Sequence, residues 1–247
     1  LWKKQRRIAQ PTFHKKSLEK LFEAMGIVAQ NYFQELNARR GQTLDISKEM
    51  MAVTAKIAMK SLFSTDMKGD LLDIYDCISF SQEYAAERFL NPMAIPLSYI
   101  NGKHRKFKKQ KKVMDNLIYD LIEQRKASSE KQHDFLQMLM DARYEDTGEP
   151  MSELQLRDEL VTIFSAGHET SANGLSWTLY LLAQHPEIVA KIREEVKTVV
   201  GDRMPGFEDL KQLVYTKQVI EEGMRLYPPV WGIGRVVGEP DEWQGHT

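Results

Sequence analysis

The chain has 247 residues, of which 42% are hydrophobic and 28% charged, and its formal net charge is −1. This composition is typical of a soluble globular protein and disfavours nucleic-acid binding, which usually needs a basic surface. No apolar run reaches the roughly 18 residues that a membrane span needs. A single cysteine, Cys77, excludes an internal disulfide framework, so we expect a cytoplasmic protein.

Apolar residues at helical spacing predict a series of helices along the first part of the chain. These helices are predicted over residues 2–9, 15–40, 50–63, 71–90, 103–125 and 134–144. Pro11 breaks the first two apart, and Ser47 is the expected cap of the third. Asn91, Pro92 and Pro96 predict a loop. The pattern indicates a mainly α fold.

The second part begins with a turn over residues 145–150 and a Ser-x-x-Gln capping box from Ser152 to Gln155. The box predicts a long helix that ends near Gln184, which at about 1.5 Å per residue would cross a whole domain. Shorter helices are predicted over residues 186–201, 207–213 and 216–226. The sequence allows a minor β component near the C-terminal end, at residues 234–237 and 242–246.

The long helix is interrupted at its middle by the run from Ala166 to Thr170, whose sequence is Ala-Gly-His-Glu-Thr. Glycine costs about 1 kcal/mol against alanine in a helix, and a buried carboxylate is penalised unless it is paired. One interpretation is a glycine that lets a neighbouring helix pack closely, with Glu169 facing water. The other is a groove for a small ligand, with Thr170 as hydrogen-bond donor and Glu169 as proton source. A zinc-protease motif is excluded, because its second histidine would fall at Ala172.

Two further motifs contain cationic residues. Glu222 and Arg225 are spaced for an ion pair, which is common on helix surfaces, but a buried bidentate pair here would fix the helix to neighbouring loops. Trp2 and Arg6 place an indole N–H and a guanidinium on one helical face, which suits a carboxylate ligand or a solvated surface. Arg235 is another candidate anion-binding residue.

The motifs, in this order and spacing, resemble the cytochrome P-450 superfamily of haem-thiolate monooxygenases. The run from Trp2 to Phe13 is similar to the C helix, Ala166 to Thr170 to the oxygen-binding I helix, and Glu222 to Arg225 to the K helix. The resemblance implies that residues 1–247 form part of a single cytochrome P-450 domain. The N-terminal part and the C-terminal haem-binding loop would be absent.

The resemblance assigns several residues to the haem. Trp2, Arg6 and Arg235 would bind its propionates. Ala166 and Gly167 would form the groove for dioxygen above the iron.

The same resemblance gives the other motif residues catalytic or structural roles. Thr170 would hydrogen-bond the oxygen ligand of the iron, and Glu169 would help to deliver protons. Glu222 and Arg225 would form a core ion pair that supports the haem side. Two residues fall where family members line the substrate pocket, namely Ile163 and Val230.

The sequence departs from the family at the iron ligand, a cysteine in a glycine-rich loop, which would lie beyond Thr247. Cys77 has no flanking glycines and is expected to be a small buried hydrophobic residue. The intact protein would take two electrons from a reductase, ferredoxin or flavodoxin, activate O2 and hydroxylate a fatty-acid-like or other lipophilic substrate. The fragment alone would be inactive. The alternative is a truncated, non-catalytic helical binding module without haem.

Two basic segments have competing interpretations. Residues 103–112 contain seven Lys or Arg residues, which indicate a solvated helix start or an electrostatic module that contacts nucleic acid or a membrane surface. A second set would form a basic face for an acidic electron-transfer partner: Lys3, Lys4, Arg7, Lys15 and Lys16.

Overall fold

The computed structural model describes residues 2–66, 71–130, 132, 134–235 and 238, and this part is mainly helical, which confirms the predicted fold class. Short 3-10 turns cover Gln10–Phe13 and Phe207–Lys211. The α-helices are α1 (Trp2–Ala9), α2 (Lys15–Ala38), α3 (Ile46–Phe63), α4 (Leu71–Leu90), α5 (Ala94–Ile100), α6 (Lys103–Ala127), α7 (Phe135–Asp141), α8 (Glu153–Gln184), α9 (Pro186–Val199) and α10 (Val214–Leu226). Within the described residues, no helix is long and apolar enough to cross a bilayer.

The predicted β component lies mostly outside the described residues. Gly234 and Arg235 are described and are not in a strand, whereas residues 236–237 and 242–246 are not described. Over the described ranges, the isolated β pairing is an antiparallel bridge between Arg143 and Pro150. That bridge closes the predicted turn over residues 145–150, where Gly148 adopts a φ of +70°.

Three helix starts differ in detail from the sequence prediction. Asp45, and not Ser47, caps α3, because its Oδ1 accepts hydrogen bonds from the backbone N–H of Ser47 (3.0 Å) and of Lys48 (3.3 Å). Asp134 likewise caps α7 instead of lying inside it. Ser152 does cap α8, but Gln155 directs its side-chain amide to Glu159 at 2.8 Å, so its own side chain does not point back toward the cap.

Helix α5 was not predicted, because Pro96 was interpreted as part of a loop. Pro96 is the third residue of α5, and at that position its missing N–H has no intrahelical partner to lose. Gly102, with a φ of +79°, then reverses the chain into α6. The loop between α4 and α6 therefore contains a short helix.

Helix α8 lies at the centre of the fold and packs mainly against α3 and α10. Its residues Leu160 and Phe164 are fully buried in the core shared by α3, α6, α7 and α8. Replacing a buried phenylalanine by alanine typically costs about 3–5 kcal/mol, so Phe164 is a main anchor of α8. The core is also rich in methionine, and five methionines are buried among the residues that the structure describes: Met50, Met51, Met59, Met114 and Met151.

A buried ion pair joins α6 to the start of α7. Nη1 and Nη2 of Arg125 donate to the Asp134 carboxylate at 2.7 and 2.6 Å, and Nη2 also donates to the carbonyl of Phe63 at 2.8 Å. The two side chains are only 8% and 2% exposed. Asp134 also accepts a hydrogen bond from the backbone N–H of Gln137 in α7. The pair therefore links the end of α3, the end of α6 and the start of α7.

Candidate functional site

The middle of α8 carries an open surface made of small residues. Ala166 and Gly167 are both exposed. A Cβ atom added to Gly167 would meet nothing within 4 Å among the described atoms. Gly167 therefore does not serve close packing against a described helix.

Thr170 lies one turn beyond Ala166 and turns its hydroxyl back onto the helix. Its Oγ1 donates to the carbonyl of Ala166 at 2.7 Å, and Ser171 forms the same bond to Gly167 at 2.9 Å. A threonine hydroxyl has one proton and two lone pairs. With the proton donated to Ala166, Thr170 offers lone pairs to a ligand, so the donor role expected from the sequence would require this bond to break.

The acidic residue of the motif is directed toward α4. Glu169 is half-buried, and its Oε2 accepts a short hydrogen bond from the side-chain amide of Gln82. No local pattern indicates this contact, since 87 positions separate the two residues. Glu169 therefore has a partner outside its own helix.

His168 points away from the open surface and into the core, where it is 2% exposed. Its ring stacks on Phe164, with centroids 5.0 Å apart, and its Nδ1 lies 3.0 Å from the carbonyl of Phe164. A carbonyl can only accept, so Nδ1 carries a proton. Burial lowers the pKa of His168, which keeps the ring neutral. His168 is thus a packed core residue, and the described residues contain no His, Cys, Asp or Glu cluster that could hold a metal ion.

A cavity of about 280 Å³ separates α4 from α8, with α6 forming its third side. Gln82 lines it from α4 and Ser165 from α8, four residues before Glu169. Cys77 also borders this cavity and is 5% exposed, so its predicted burial is confirmed. The site thus combines an apolar cavity with the Gln82–Glu169 hydrogen bond.

Glu222 and Arg225 on α10 form the predicted bidentate pair, but not a buried one. Arg225 Nε and Nη2 each donate to the Glu222 carboxylate at 2.7 Å. The two side chains are 67% and 54% exposed, so within the described part of the chain the pair lies at the surface. The pair forms within one helix turn, where no core packing is needed to bring the two side chains together.

The residue between them makes a closer contact. Gly223 is buried, and its backbone lies directly against Thr178 of α8. The rings of Trp177 on α8 and Tyr227 after α10 stack in parallel, with centroids 4.2 Å apart. Gly223 was not predicted as a contact residue, although a glycine inside a helix is the signal that could have identified it.

The candidate propionate ligands lie near the two ends of the described sequence. Trp2 lies in α1, but its side chain is outside the described atoms, and Arg6 on the same helix is exposed. Arg235 is exposed and donates to the carbonyl of Gly234 at 2.9 Å.

The two candidate pocket residues differ in their burial. Ile163 packs partly against the core, while Val230 is 59% exposed.

The basic face on α1 and α2 is partly neutralised. Lys4 pairs with Asp146, and Arg7 pairs with Glu145 at 2.8 Å, both on the turn after α7. Lys15 lies 3.4 Å from Glu208. The expected cationic surface for an electron donor is therefore smaller than the sequence suggested.

The basic run at the start of α6 is also partly paired. Lys103 binds Glu87 at 2.8 Å, Lys111 binds Asp115 at 2.6 Å, and the Lys106 ammonium lies 4.2 Å from the ring centroid of Phe80. The other cations of the run are exposed and recur at helical spacing on one side of α6, as expected for a solvated helix start: Arg105, Lys108, Lys109 and Lys112.

Comparisons with known proteins agree with the motifs. A family model described as "Cytochrome P450" matches residues 1–247. The chain is 33% identical over 245 residues to "Cyclooctatin synthase" of Streptomyces melanosporofaciens, covering 98% of this chain and 53% of that protein. "Cyclooctat-9-en-7-ol 5-monooxygenase" of the same organism is 31% identical with the same coverage. "Protein LUTEIN DEFICIENT 5, chloroplastic" of Arabidopsis thaliana is 32% identical, covering 92% and 41%. The chain spans about half the length of these curated relatives.

Proposed function

Because the chain belongs to the cytochrome P-450 superfamily, we propose that the whole protein is a haem-dependent monooxygenase that hydroxylates a lipophilic small molecule. One structural observation carries this proposal: the open surface at Ala166 and Gly167, with the Thr170 hydroxyl at its edge. A long helix with a small-residue opening and a hydroxyl beside it suits the binding of a small diatomic ligand such as dioxygen.

The residues on this surface fit a flat macrocycle. Ala166 and Gly167 carry little bulk, and a Cβ atom added to Gly167 would have no described atom of another element within 4 Å. The guanidinium groups of Arg6 and Arg235 have the charge and geometry to bind carboxylates such as propionates. Cys77 does not fit the role of iron ligand, because it lies on α4 beside the cavity between α4, α6 and α8. We propose that the thiolate ligand of the whole protein is a residue other than Cys77.

When bound, haem supplies the activation of dioxygen with two electrons, and the protein supplies positioning and protons. The carbonyl of Ala166 fixes the Thr170 hydroxyl through the 2.7 Å bond. The lone pairs of that hydroxyl can then accept a hydrogen bond from a ligand that carries a proton. Glu169 is the candidate proton source, since it is an acid next to Thr170 on the border between α8 and α4. The apolar cavity beside them would exclude water and hold the substrate.

The substrate and the electron donor are assigned by class. The names of two relatives refer to cyclooctatin and cyclooctat-9-en-7-ol, and that of a third, from Streptomyces avermitilis, to pentalenene. These names support a carbocyclic terpene-like substrate as well as the fatty-acid-like one expected from the sequence. The electron donor would be a reductase, a ferredoxin or a flavodoxin.

The test uses the whole protein, expressed with its haem. We expect the reduced, carbon monoxide-bound protein to give the absorption band of a thiolate-ligated haem. With an electron donor, a lipophilic substrate panel and isotope-labelled dioxygen, one labelled oxygen atom should enter the product. A whole protein that takes up no haem would contradict the proposal and favour the non-catalytic helical module.

A further inference from the structure

The hydrogen bond between Gln82 and Glu169 joins the substrate-cavity wall on α4 to the acid of the α8 motif. Gln82 donates through its side-chain amide to Glu169 Oε2. Hydrogen bonds to an ionised acceptor are about twice as strong as neutral ones. Without this partner, a glutamate side chain with three rotatable bonds would lose its fixed direction, because rotamer freedom favours a disordered carboxylate.

Gln82 is itself held on a well-anchored part of α4. Two residues further along α4, the Tyr84 ring stacks on Phe107 of α6, with centroids 4.6 Å apart, and the Tyr84 hydroxyl lies 2.8 Å from His104 Nδ1. Glu87 binds Lys103 at 2.8 Å on the same helix pair. A residue on such a supported helix can hold a functional side chain more precisely than a loop residue can.

We propose that Gln82 is a positioning residue for proton delivery, because its amide fixes the carboxylate of Glu169 at the edge of the cavity between α4, α6 and α8. This inference rests on the proposed role of Glu169 as proton source. Gln82 transfers no proton, since its amide does not titrate. Its contribution is the direction and distance at which the Glu169 carboxylate is held.

The test compares four variants of the whole haem-loaded protein by the product formed per electron consumed. Gln82→Met removes the donor at similar size, and Glu169→Gln removes the acid. The double variant Gln82→Glu with Glu169→Gln rebuilds an amide–carboxylate bond but moves the acid to α4. Gln155→Met is the matched control, because Gln155 makes an equivalent 2.8 Å bond to Glu159 at the start of α8.

We expect Gln82→Met to lower the product yield per electron by up to about tenfold, the upper range for the loss of one intramolecular hydrogen bond. The double variant should stay as low as Glu169→Gln, and Gln155→Met should match the wild type. Two outcomes would overturn the inference and leave the proposed function standing. In the first, the double variant restores the yield. In the second, Gln82→Met leaves the yield unchanged while Glu169→Gln lowers it. An unchanged yield in Glu169→Gln instead removes the proton-source role, and this inference with it.

A second measurement does not depend on activity. In the nitrogen-15-labelled chain, the side-chain amide signal of Gln82 should move when Glu169 is changed to Gln, because its acceptor loses the negative charge. The corresponding signal of Gln155 should not move. A Gln82 signal that stays in place would show that the bond to Glu169 does not form, and would overturn the inference without any bearing on whether the protein binds haem.

Discussion

A Cβ atom on Gly223 of α10 would lie 2.5 Å from the Oγ1 atom of Thr178 on α8. Thr178 cannot easily turn away, because its hydroxyl donates to the carbonyl of Gly174 at 2.7 Å and its β-branched side chain has few rotamers in a helix. Gly223 therefore sets how closely α10 approaches α8.

We expect Gly223→Ala to destabilise the chain. Overpacking typically costs about 1–3 kcal/mol, and the higher helix propensity of alanine returns about 1 kcal/mol, so the net loss is up to about 2 kcal/mol. The free energy of unfolding in urea measures it. In a Thr178→Ala background the same change should cost little, since Oγ1 is gone. Gly167→Ala is the control, because it meets no atom within 4 Å and should be neutral or stabilising.

The two arginine–carboxylate pairs should differ strongly in their effect on stability. Asp134→Ala leaves Arg125 buried without its partner and removes the α7 cap, so we expect a loss of about 3–5 kcal/mol. Glu222→Gln affects an exposed pair and should change the unfolding free energy by at most about 1 kcal/mol. Urea unfolding of both variants compares them, and equal losses would contradict the burial difference.

His168 should make the stability of the chain depend on pH. Burial lowers the pKa of His168 in the folded chain, whereas in the unfolded chain its pKa is close to the ordinary value of about 6.5. As the pH falls below about 6.5, the unfolded chain binds a proton that the folded chain does not, so stability decreases by at most about 1.4 kcal/mol per pH unit.

The measurement is the unfolding free energy in urea across neutral and mildly acidic pH. His168→Met, which fills the site and cannot titrate, should reduce this decrease. His14→Gln changes an exposed histidine and should keep it. If the His168→Met variant keeps the wild-type dependence of the unfolding free energy on pH, His168 is not the source of that dependence.

Thr170 should control how efficiently the whole protein uses electrons. Thr170→Ala removes the hydroxyl held by Ala166, so we expect electron consumption to continue while product per electron falls several-fold. Thr170→Ser keeps a hydroxyl able to bond Ala166 and should retain most of the yield. Ser171→Ala is a neighbouring control, since it removes the analogous bond to Gly167. An unchanged yield in Thr170→Ala would refute the role of Thr170.

The sequence predicted those features that local chemistry determines. Helical spacing placed α1, α4 and α8, and Ser152 marked the start of α8, because amphipathic periodicity and capping act over a few residues. Pro96 misled the prediction, since a proline is tolerated in a first helical turn and does not always indicate a loop.

Features that depend on contacts between distant residues were not predicted. The partner of Glu169 is Gln82 on another helix, and the spacing of neither residue indicates the other. Glu222 and Arg225 have the spacing of a pair, but spacing does not reveal whether the helix face is covered. The buried pair is instead Arg125 with Asp134, which the sequence offered no reason to prefer.

The methionine-rich core has a consequence if the whole protein has the proposed oxygenase activity. When electrons are consumed without forming product, partly reduced oxygen species are released. These species convert methionine to its polar sulfoxide. Met59 is 1% exposed, whereas Met93 on the α4–α5 connection is 74% exposed. Oxidant in solution would therefore reach Met93 first, and sulfoxide at Met59 would mark molecules whose core has already opened. The ratio of Met59 sulfoxide to Met93 sulfoxide therefore reports how far oxidation has proceeded in a preparation.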